Sequence, residues 1–135
     1  MADPLSVTAS IIAVVGAADA VAKGLRRLKA AKDAPKGLKD LVLDVAQLEM
    51  VLNCVKSVVL TAGSPPIELA TLIGEAGSKL LELKSLIEYT LTKAGVSEKV
   101  DRWQWLRKGN EVERLRNQLS TIRLNLVALT SSANL

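Results

Sequence analysis

Residues 1–24, MADPLSVTASIIAVVGAADAVAKG, carry no ionisable side chain between Pro4 and Ala18, and then Asp19 and Lys23 open a basic run. A segment of this kind is a secretory leader, a membrane span or a core helix of a soluble bundle. A leader needs a basic stretch before its apolar part, and here the only nearby side-chain charge is Asp3; Ala18-Asp19-Ala20 fits a small-x-small cleavage site only loosely. A constitutive span needs about 20 apolar residues, whereas the uncharged run is 15 residues long. Placed on a helix, Val7, Ile11, Val14, Ala18, Val21, Leu25 and Leu28 form one continuous apolar stripe. A core helix packed among the other elements therefore describes the resting segment best, and it accounts for an apolar surface on all sides without invoking any function.

Two further stripes complicate that description. Leu5, Thr8, Ile12, Val15, Asp19, Lys23 and Arg26 begin apolar and end charged, with Asp19 and Lys23 spaced for an i, i+4 pair. Ala9, Ala13, Gly16, Ala20 and Gly24 are all small, the composition that lets helices approach closely. Gly16 and Gly24 each cost a helix about 1 kcal/mol relative to alanine. Close packing inside the bundle, or packing elsewhere, has to offset it.

The rest of the chain reads as three more long helices and one short one. Asp3-Pro4, Ala34-Pro35 and Ser64-Pro65-Pro66 mark helix starts. Leu38, Leu41, Val45, Leu48, Leu52, Val55 and Val59 alternate steps of three and four. Leu69, Ile73, Ala76, Leu80, Leu83 and Ile87 repeat the pattern, as do Val112, Leu115, Leu119, Ile122, Leu126 and Leu129. Gly95 is expected to end the third helix, Ser97 to cap a short helix over about 98–108, and Asn110 with Glu113 to open the last one as a capping box. Short connections between such helices predict an all-α, antiparallel four-helix bundle with one additional short helix, in a single domain over residues 1–135.

Composition narrows the function. The 135 residues include no histidine and one cysteine, Cys54. That excludes imidazole catalysis, an internal disulfide and a Cys/His zinc site. "GAADAVAKG" lacks the order of a phosphate-binding loop. Glu75, Glu82 and Glu88, with Lys84 and Lys93, suit the solvated face of a helix, so the chain is read as no enzyme and as needing no cofactor. Trp103 and Trp105 are two apart and point different ways on a helix, one toward a core and one outward. The charge is uneven: between residues 23 and 39 seven basic side chains, Lys23, Arg26, Arg27, Lys29, Lys32, Lys36 and Lys39, meet only Asp33, a local +6 in a chain of net +4. Such a patch suits an anionic lipid surface or an ordinary solvated helix end. Without interleaved aromatics it is a poor nucleic-acid site.

The opening "MADPLSVTASIIAVVGAADAV", with "KDAPKGLKDL" and "RWQWLRKGNEVERLRNQLSTIRLNLVAL", resembles the HeLo-like N-terminal domain of fungal NOD-like receptors. That domain is similar to the four-helix executioner domain of the necroptosis pseudokinase and to the helical N-terminal domains of plant resistance proteins. The resemblance spans nearly the whole chain and implies a part in regulated cell death and heterokaryon incompatibility. It implies a domain that is cytoplasmic at rest and self-associates when an upstream receptor or amyloid-signalling module assembles. The hydrophobic half-helix over residues 1–22 then permeabilises the plasma membrane, and the matching positions are Leu5, Val7, Ile11, Ile12, Val14, Val15 and Gly16. Lys23, Arg26, Arg27, Lys29 and Lys32 are the candidates for anionic lipid. The alternative is a helical protein–protein interaction module that never permeabilises a membrane.

Overall fold

The expected seams pack into one core. A computed structural model describes residues 4–30, 35–62, 66–88, 92–93 and 96–133. Four long helices dominate it: α1 (Pro4–Lys29), α2 (Lys36–Ala62), α3 (Ile67–Leu86) and α5 (Gly109–Ala133). Between α3 and α5 lie a short antiparallel hairpin, β1 (Thr92–Lys93) and β2 (Val96–Val100), and the six-residue α4 (Arg102–Arg107). Every residue of the α1 and α2 seams is buried. So are the α3 seam and the α5 seam up to Leu126, with Leu129 half-buried. No polar side chain is buried among the described residues, so the core is held by aliphatic burial at about 25 cal/mol per Å².

The helices form a square. The principal contacts run from α1 to α2, α2 to α5, α5 to α3 and α3 to α1. Consecutive long helices alternate in direction, yet the link from α2 to α3 crosses the diagonal of the square. As a result α2 and α5 run parallel: Asp44, early in α2, meets Arg116, early in α5, at 2.6 Å. In contrast, Glu82 late in α3 meets Arg114 early in α5, as antiparallel neighbours do.

The helix ends show where local chemistry differs from the sequence reading. Pro4 is the first residue of α1, and Pro66 caps α3 in an extended conformation. Asp3, Ala34, Ser64, Pro65 and Gly95 lie outside the described residues. Helix α3 ends at Leu86, and residues 96–100 form a strand rather than the start of the short helix. That helix covers 102–107 instead of 98–108, because the Asp101 carboxylate, not Ser97, accepts the Trp103 and Gln104 amides at 3.1 and 3.2 Å. The expected capping box at Asn110 does not form: α5 begins at Gly109, and Glu113 binds Arg116 at 3.2 Å.

Candidate functional site: the corner helix

Helix α1 occupies a corner of the square, so it has two neighbours and one open side. Its buried stripe faces α2 and α3, while Ala9, Ile12, Ala13, Gly16 and Ala20 face outward. A helix enclosed by the other three, as the all-round apolar composition suggests, is not what forms.

The small stripe is open. A Cβ built on Gly16 or Gly24 meets nothing within 4 Å among the described residues, so no close contact there offsets the helical cost of these glycines. The close approach between helices lies elsewhere. A Cβ on Gly77 of α3 would sit 3.0 Å from Val14 Cγ2, so Gly77 is the small residue that lets α3 approach α1.

The seven residues matched to membrane targeting thus divide between faces. Val7, Ile11 and Val14 are core residues, Val15 is half-buried against the core, and Ile12 and Gly16 are exposed. Leu5 lies in the first turn of α1, with its side chain outside the described residues. By length and composition Val7–Lys29 can associate with or cross a bilayer, and a third of its most apolar stretch is buried in the bundle.

Where α1 turns from apolar to basic, four charges gather between α1 and α2. Lys23 pairs with Asp19 at 3.0 Å, and Arg26 reaches Glu49 of α2 at 3.7 Å. Burial, followed by the nearby Asp19 carboxylate, pushes the Glu49 carboxyl above its ordinary range, opposed by Arg26 and Lys23. Beyond this cluster Arg27 and Lys29 are exposed and have no acidic partner among the described residues; Lys32 lies outside them. The basic candidates therefore form two groups: Lys23 and Arg26 are paired with carboxylates, whereas Arg27 and Lys29 are exposed and have no acidic partner among the described residues.

The two tryptophans separate as their spacing predicts. Trp105 is half-buried over Gly37, where a Cβ would lie 3.2 Å from its Cζ2, and Trp103 is 68% exposed beside Leu106 at 75%. The sequence alone did not single out Glu49, Gly77 or the exposure of Leu106. Each depends on which helices become neighbours.

Comparison with protein-family models, with curated proteins and with solved structures finds no match.

Proposed function

We propose that this chain is a membrane-targeting, self-associating helical domain of the regulated cell-death type, which permeabilises the plasma membrane through α1 when an upstream receptor or amyloid-signalling module assembles it. The observation that carries the reading is the corner position of α1, with an open face of small and apolar residues followed by Arg27 and Lys29, exposed and without an acidic partner among the described residues. The resemblance to HeLo-like domains supplies the biological setting.

The physics needs no active site. On release, Val7, Ile11 and Val14 exchange burial in protein for burial in lipid, so the apolar side chains lose little. Each Lys or Arg near an anionic leaflet adds about 1 kcal/mol. The basic end of α1 stays on the cytoplasmic side, the side that favours Lys and Arg. Asp19 costs about 2.5–3.5 kcal/mol at the centre of a lone span, and several copies sharing a polar interior lower that cost. Assembly and insertion are coupled for this reason.

Dye release from anionic liposomes tests the reading, with the full chain forced to oligomerise by a fused assembly domain. Ile12→Glu and Gly16→Glu place a charge on the open face without touching the core. Leakage by the wild type, lost in both variants while circular dichroism stays native, is the expected result. Equal leakage in the variants, or none in any protein, sinks it.

A second reading has its own observation. Trp103 and Leu106 project from α4, and aromatic anchors of this kind suit a docking surface for a partner protein. A protein–protein interaction module would lose partner binding on Trp103→Ala and keep α1 in place throughout signalling.

A further inference from the structure

We propose that α4, with the last turn of α1 and the start of α2, forms a landing surface on which the folded bundle docks to an anionic bilayer while α1 is still in place. The position of α4 is set by its inner side. Trp105 is half-buried against the core and rests over Gly37, in the first turn of α2. On the outer side Trp103 and Leu106, three residues apart, share a face. Leu106 is the most exposed large apolar side chain among the described residues, and Trp103 is exposed to nearly the same degree. The last turn of α1 lies at the same end, because α1 and α2 are antiparallel neighbours, and β2, which leads into α4, touches α1.

Charge then selects the partner. Arg102 and Arg107 flank the apolar pair along α4, Arg27 and Lys29 end α1, and Lys39 follows Gly37 by two residues. All five are exposed, and none makes an ion pair among the described residues. Nearby acids are held inside the bundle. The Asp101 carboxylate accepts the Trp103 and Gln104 amides, Glu111 pairs with Lys108 at 3.4 Å, and Asp44 and Glu113 both bind Arg116. Asp40, next to Lys39, is an exposed exception. An indole settles at the headgroup level of a bilayer, with its ring against the acyl boundary and its N–H toward water. A leucine beside it enters that boundary, and arginine forks onto lipid phosphates. Lysine, by contrast, is depleted from protein–protein interfaces. Two apolar side chains among scattered cations therefore suit a sheet of negative charge better than one shaped partner. Landing here brings the basic end of α1 to the leaflet on which the proposed mechanism keeps it. That use rests on the function proposed above; the landing surface itself does not require α1 to leave the bundle.

Co-flotation of the full chain, without any fused assembly domain, tests the surface on vesicles of phosphatidylcholine with and without phosphatidylserine. The wild type should float with the anionic vesicles and come off at high salt. Trp103→Ala and Leu106→Ala should each weaken binding at least about five-fold, and Arg102→Glu and Arg107→Glu by about five-fold or more. All four side chains are exposed, so circular dichroism should stay native. Brominated phosphatidylcholine in the anionic vesicles should quench tryptophan fluorescence in the wild type and not in Trp103→Ala, which retains Trp105. Ile12→Glu, in the apolar half of α1, should float like the wild type. Binding that Trp103→Ala and Leu106→Ala leave unchanged, or that pure phosphatidylcholine supports equally, overturns the landing surface and returns the exposed pair to the partner-docking reading. Landing that depends on α4 in a chain that never leaks vesicles when assembled keeps the surface and overturns the permeabilising function. Leakage by the assembled chain beside vesicle binding that ignores α4 does the reverse.

Discussion

Ile11 and Ile12 are adjacent in the chain, about 100° apart around α1, and one is buried while the other is exposed. Ile11 is fully buried between α2 and α3, while Ile12 is 52% exposed on the open side. The same contrast runs along the helix: a mostly large-residue seam faces inward, and Ala9, Ala13, Gly16 and Ala20 face out, with open space at Gly16 among the described residues. An inward face of this kind is what a bundle needs. On the outward face the alanines favour the helix, but Gly16 costs helix propensity and has no close contact among the described residues to offset it. The difference separates what keeps α1 in place from what makes it available to another environment.

The largest effect expected on that contrast comes from the two isoleucines. Ile11→Ala should lose about 2–5 kcal/mol of unfolding free energy, and Ile12→Ala should stay within about 0.5 kcal/mol; chemical denaturation reads both. Similar losses at the two positions would abolish the distinction. The glycines sharpen it next. Gly77→Leu forces a side chain against Val14 and should cost about 1–3 kcal/mol. Gly16→Ala should instead stabilise the bundle by about 1 kcal/mol, measured as a rise in Tm. If Gly16→Ala also reduces liposome leakage, the outer stripe is used in the assembled state. The smallest change in stability belongs to the basic end. Arg27→Glu and Lys29→Glu should leave the midpoint within about 0.5 kcal/mol, yet each should weaken binding to phosphatidylserine vesicles by at least about 1 kcal/mol, less at high salt.

The bundle was legible because its seams follow one physical rule. Each seam named from the three-and-four spacing packs into the core, from Val7 in α1 to Leu126 in α5. The Asp19–Lys23 pair was legible too, being fixed within a single helix. Two kinds of feature were not. The segment after α3 depends on competition between weak local signals, and there Asp101 offers two backbone amides a better acceptor than Ser97 does. Features between helices depend on the diagonal crossing from α2 to α3, which leaves no periodic trace. Glu49 stands among the polar residues of α2 with nothing to mark it until α1 lies alongside. Gly77 looks no different from Gly16 or Gly24 until Val14 is placed against it. The candidate membrane face was half legible: its residues were named, but the sequence could not divide Ile11 from Ile12 without knowing that α1 sits at a corner.

The diagonal crossing also sets an order of events at the ribosome. Helix α1 is made first, and one of its two neighbours follows at once, but Val14 must wait for Gly77. At synthesis rates of about 5–20 residues per second, that interval lasts roughly 3–13 seconds. For this period the nascent chain carries the helix that is long and apolar enough to span a bilayer with one flank uncovered, long enough for a chaperone or a nearby bilayer to compete for it. A bundle in which every helix packs on the next would leave that flank open longer still, until the last helix, α5 (Gly109–Ala133), is made.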